Sequence, residues 1–243
     1  MYTDKQITTT TTSIKQSLRP INTPVKLPVA APVTPTPTAS TPTAISSSAT
    51  SLSVPFISQA PLGNWADQRQ EAGCEEASVL MAMLWVRGKK SIAPLDAESQ
   101  IITISDWEQK MYGEYRDTKA QDTIDRIFKG YFGYSNVELK ENITTTDIKA
   151  ELERGNMVIV PVNGRKLRNP FYVPPGPIQH NILIRGYDSA TKEFITNDSG
   201  TRRGEKYRYA EDVLYNALQD YPTGNHEIIF SVEKVMIVVK KTS

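Results

Sequence analysis

CEEASVLMAMLWVRG (74–88) decides the fold. Ala77, Leu80, Met81 and Leu84 recur at spacings of three and four, two acids stand in the first turn, and Gly88 follows the last apolar residue. The pattern predicts a buried helix that begins at Cys74. Working outward, TKAQDTIDRIFKGYFG (118–133) and TTTDIKAELERG (144–155) also read as helices, the second with Thr or Asp at its start and Gly155 past its end. The period then changes. NMVIVPVNG (156–164), HNILIRGYD (180–188), EFITND (193–198) and VEKVMIVVKK (232–241) are β-branched apolar runs bounded by Gly, Asn and Asp. They read as strands of one sheet, with GYDSATKE (186–193) turning the chain between two of them. A helical part followed by a mostly antiparallel sheet is an α+β domain.

Toward the N-terminus the composition breaks. Residues 1–53 carry 13 Thr, 8 Ser and 7 Pro and no Gly, Phe or Trp, so this segment lacks the apolar surface to bury a core. It holds the run Thr8–Thr12 and PVTPTPTASTPTA (32–44), whose prolines favour extended conformations. We read 1–53 as a disordered Thr/Pro/Ser-rich linker and 54–243 as one globular domain, which holds every glycine and every tryptophan.

Charge and residue usage exclude several classes. The 28 Lys and Arg against 27 Asp and Glu leave no basic excess for nucleic acid or anionic lipid. No apolar run of about 18 residues predicts a membrane span, and the Thr-rich start does not read as a signal peptide. One cysteine precludes an internal disulfide, and two histidines leave few metal ligands. Phosphate loops, paired catalytic carboxylates, CxxC and HExxH are absent, so no cofactor or metal is expected.

What remains is thiol chemistry. At a helix start, unpaired N–H groups and the helix dipole favour a Cys74 thiolate, while Glu75 and Glu76 oppose it where they crowd the sulfur. The alternative is a small buried hydrophobe. Upstream, VPFISQAPLGNWADQRQEAGC (54–74) offers Gln59 as a neutral amide donor for an oxyanion, Gly73 as room beside the sulfur, and Trp65 as a wall of the cleft. His180 opens a strand and Asp198 closes the next, so their order suits a Cys-His-Asp triad in which Asp198 orients the imidazole. Asn197 is the reserve orienter, and removal of Asp198 is expected to be milder where Asn197 or water can orient the imidazole. The loop RKLRNPFYVPPGPIQ (165–179), just before His180, is placed to border a substrate groove. His226, in YPTGNHE (221–227), is followed by no recognisable motif and reads as a surface residue.

Together, VPFISQAPLGNW (54–65), GCEEAS (73–78), HNILIRGYD (180–188) and FITNDSG (194–200) resemble the bacterial C-thirty-nine-like peptidases, over essentially residues 54–243. The resemblance implies a papain-like cysteine peptidase fold. It also implies Cys74 as nucleophile, His180 as general base and acid, Asp198 as orienter, and Gln59 with the Cys74 amide as oxyanion donors. The family commonly has Gly-Pro after the cysteine and Pro after the aspartate, where this chain has Glu75-Glu76 and Ser199. A peptide or protein substrate is expected, hydrolysed through a thioester, and the chain is expected to be exported or surface-associated in a bacterium. Two other readings stay open: an inactive papain-like binding module, and a cell-wall amidase or transglutaminase-like enzyme using the same Cys-His pair.

Overall fold

The structure, a computed structural model, describes residues 50–241. The expected linker lies outside the described residues except for 50–53, of which β1 (Thr50–Ser51) pairs with β4. The helices are α1 (Gln68–Glu71), α2 (Cys74–Val86), α3 (Pro94–Tyr112), α4 (Ala120–Asp122), α5 (Thr145–Glu153), α6 (Gly164–Leu167) and α7 (Glu211–Ala217). The strands after β1 are β2 (Val137–Glu141), β3 (Met157–Val162), β4 (His180–Asp188), β5 (Glu193–Asn197), β6 (Tyr207–Ala210) and β7 (Val235–Val239). Among these residues no helix is long and apolar enough to cross a membrane.

The sheet is antiparallel throughout, in the order β2-β7-β3-β4-β5-β6, with β1 beside the far end of β4. The fold is α+β. Strand alternation divides its side chains between two cores. Met157, Ile159, Leu183, Val235 and Ile237 pack with α2, α3 and the chain after α4. Val158, Val160, Ile182, Ile184 and Val238 pack with Ile148 and Leu152 of α5 and Leu214 of α7. Helices therefore cover both faces, with α2 central and buried from Cys74 to Met83. A helix apolar nearly all round belongs in such a place.

Where sequence and structure differ, burial gives the reason. Helix α3 carries Pro94 in its first turn and ends at Gly113, φ +79, yet its buried stripe is Ala97, Ile101, Ile104, Ser105 and Glu108. Two polar residues interrupt the apolar period that would announce it. The helix expected over 118–133 is α4 followed by wider π-helical turns over Thr123–Tyr131, with the Phe132 N–H reaching back five residues to the Ile127 carbonyl. Strands β2 and β6 are the sheet's two edges, so their half-exposed residues show no apolar run.

Candidate active site

Helix α2 has Gly73 at its N-cap with no side-chain cap, so the Cys74 amide stays among the open donors of the first turn. His180 is the first residue of β4, and Asp198 follows the last residue of β5. The register pairs Leu183 with Asn197, so continuing it puts Asp198 opposite Ile182, a diagonal neighbour of His180. His180 Nε2 and Asp198 Oδ1 lie 2.8 Å apart, both buried. This leaves Nδ1 as the ring nitrogen free for proton transfer.

Asp198 is surrounded by donors. Its Oδ2 accepts from Tyr172 OH at 2.6 Å, Tyr209 OH at 2.5 Å and Asn169 Nδ2 at 3.1 Å, and its Oδ1 from the Gly200 N–H at 3.1 Å. Burial pushes its pKa up, but the His180 charge and the bonds from His180, Tyr172 and Tyr209 outweigh that and hold it below the usual carboxylate range. Tyr172 also stands edge-on to the His180 ring, centroids 5.6 Å apart. Sequence reasoning placed the loop 165–179 at the site but missed Asn169 and Tyr209 as holders of Asp198. A buried tyrosine hydroxyl needs a partner, and nothing local in the sequence named this one.

Asn197 is not a reserve orienter. Its amide donates to the Pro55 carbonyl at 3.0 Å and its Oδ1 accepts from Arg185 at 3.2 Å, because strand alternation turns it away from Asp198. Gln59 reaches the site through its backbone, whose N–H donates to the Ser199 carbonyl at 3.0 Å. Its side-chain Nε2 donates to the Glu71 carbonyl at 2.6 Å, and its Oε1 has no protein partner among the described residues. Trp65 is exposed.

Cys74 is buried, and its neighbour Glu75 is joined through the Tyr221 hydroxyl to Asn181 next to His180, which sets the nucleophile's helix against the histidine's strand. Among the described residues no hydrogen bond joins Cys74 to His180. Instead Cys74 Sγ donates to Glu75 Oε2 at 3.0 Å. Burial, then the Glu75 charge, push the thiol pKa well up. Glu75 Oε1 accepts from Tyr221 OH at 2.5 Å, and Tyr221 OH accepts from Asn181 Nδ2 at 2.9 Å. Burial, reinforced by Asp117, pushes the Glu75 pKa up to about 7.

His226 is exposed but not isolated. Its Nδ1 lies 3.0 Å from Gln179 Oε1 and 3.2 Å from Asp117 Oδ2, an acid too distant in sequence to be noticed there. Gln179 precedes His180, and a groove of about 370 Å³ runs past it along His226, Ile228 and Phe230.

A family model described as Peptidase_C39 like family matches residues 51–223. A solved structure of a candidate C39-like peptidase from Bacillus anthracis aligns with a TM-score of 0.50 at 13% identity, covering 81% of this chain and 100% of that one. At that identity the likeness concerns the fold. No curated protein matches.

Proposed function

Since the chain belongs to the Peptidase_C39 like family, we propose that it is a cysteine peptidase acting through Cys74, His180 and Asp198. The observation that carries this reading is the buried His180–Asp198 pair at the start of the strand whose next residue, Asn181, is linked through Tyr221 and Glu75 to Cys74. His180 Nδ1 takes the Cys74 proton, and Asp198 stabilises the imidazolium through Nε2. The thiolate attacks a peptide carbonyl, His180 returns the proton to the leaving amine, and water then hydrolyses the thioester. The Cys74 N–H is the first oxyanion donor. Gln59 joins it once its amide leaves the Glu71 carbonyl. Among the described residues the buried Gln59 Oε1, Asn181 Oδ1 and Ser199 Oγ have no protein partner, and of these only the Ser199 hydroxyl can donate.

A second reading, a papain-like module without catalysis, is favoured by the burial of the thiol and its bond to Glu75. Incubation with a complex peptide mixture, followed by mass spectrometry of new termini, separates the two. Cleavage by the wild type that disappears in Cys74→Ala and His180→Ala is the expected result. Cleavage that persists in Cys74→Ala, or none at all, removes the peptidase reading. Release of peptides from peptidoglycan without cleavage of the mixture assigns the amidase class.

A further inference from the structure

The mechanism above does not use Glu75, although this residue holds the nucleophile's proton. Its carboxyl is fully buried, takes the Cys74 S–H on one oxygen and the Tyr221 hydroxyl on the other, and Tyr221 is itself held by Asn181 beside His180. Resting on the peptidase reading for what the thiol does, we propose that Glu75, anchored by Tyr221, is a positioning residue that aims the Cys74 thiol and retains its proton in the resting site. The S–H to carboxylate contact must open before His180 Nδ1 takes the proton. When it opens, the S–H bond breaks, the proton passes to His180, and Glu75 keeps its charge against the Tyr221 hydroxyl.

Electrostatics gives this contact its direction. A thiolate formed while Glu75 is ionised puts two negative charges side by side in a site closed to water, which disfavours the thiolate. The other groups around the carboxyl add to the effect. Asp117, from the segment after α3, raises both Cys74 and Glu75, while the buried Glu76 on α2 and Glu108 on α3 are themselves pushed up by burial and by the Glu75 charge. His226, on the far side of Asp117, opposes that acid's charge. From β4 the Asn181 N–H favours the thiolate.

The test is the pH dependence of Cys74 alkylation by iodoacetamide, read by intact mass on the full chain. Glu75→Gln keeps the shape and removes the charge, so its profile should move down by about one pH unit or more, with alkylation at neutral pH roughly tenfold faster. Glu75→Asp restores the charge one methylene farther away and should fall between Gln and wild type. Tyr221→Phe frees the carboxyl and should shift the profile the same way by less. Profiles that coincide with wild type, move to higher pH, or show Cys74 reacting only on unfolding in every variant overturn the proposal. Should Glu75→Gln not fold, Tyr221→Phe decides by the same criteria. Failure of the peptidase reading shows separately, as wild-type alkylation that is indifferent to His180→Ala.

Discussion

Asp198 accepts five hydrogen bonds inside the protein, and its environment predicts what substitution costs. In Asp198→Asn the new amide must face donors whichever way it turns: His180 and Gly200 on one side, Tyr172, Tyr209 and Asn169 on the other. An unmatched buried donor costs about 1–3 kcal/mol, so denaturant unfolding should show a loss in that range. Turnover should fall roughly a thousandfold or more, because the imidazolium loses its counter-charge. The milder effect expected from the sequence relied on Asn197 or water, and strand alternation turns Asn197 to the opposite face. Because the native pKa of Asp198 is depressed, its contribution to stability is present above the unfolded value near 4 and is lost as pH falls through the native one. Asp198→Asn should remove that acid-side loss from the stability profile. Cys74, His180 and Asp198 were legible because each sits at the end of a strongly patterned element. The crowding of the sulfur by the adjacent Glu75 was legible too, whereas Asn169, Tyr209 and Tyr221 were not, since long-range packing chose their partners.

Helices α2 and α3 meet through acids rather than through an apolar seam alone. Ser105 Oγ donates to Glu76 Oε1 at 2.6 Å, while Glu76 Oε2 and both oxygens of Glu108 have no protein partner among the described residues. Burial, then the charge of Glu76, push the Glu108 pKa up to about 10. Glu108 is therefore neutral in the native state at neutral pH and ionised in the unfolded chain. The native state binds the extra proton, so stability declines as pH rises from the unfolded value near 4 to about 10. Glu108→Gln is neutral in both states. It should raise stability at pH 7 by on the order of 2 kcal/mol and flatten the decline between pH 5 and 9, as followed by urea unfolding. A variant less stable than wild type at pH 7, with the same slope, would show that the carboxyl is ionised in place. The same two polar residues, Ser105 and Glu108, kept α3 from being legible, whereas α5 announced itself through the Thr144–Asp147 capping box and Gly155, φ +78.

Across the whole molecule, the segment 50–59 connects the far end of the sheet to the candidate site. It pairs with β4 at Tyr187 and Gly186, crosses the end of β5, and delivers the Gln59 N–H to the Ser199 carbonyl before α1 leads into Cys74. Its main fastening is a single buried side chain. Arg185 Nε donates to the Leu52 carbonyl at 2.9 Å, and Nη1 donates to the Val54 carbonyl and to Asn197 Oδ1, each at 3.2 Å. Asn197 donates to the Pro55 carbonyl, so one guanidinium and one amide satisfy three backbone carbonyls, those of Leu52, Val54 and Pro55. Arg185→Ala strands the Leu52 and Val54 carbonyls away from water. The loss should be about 2–4 kcal/mol in denaturant unfolding, the range for charge-assisted bonds whose partners stay buried. Hydrogen exchange locates the consequence: the Leu52 and Gln59 amides should exchange at least tenfold faster, while those of β3 and β7 keep their protection until global unfolding. If the segment is an independent strap over the sheet, Cys74 and His180 stay in place and only the oxyanion side loosens. Uniform acceleration across the sheet would instead make Arg185 part of the fold's common core.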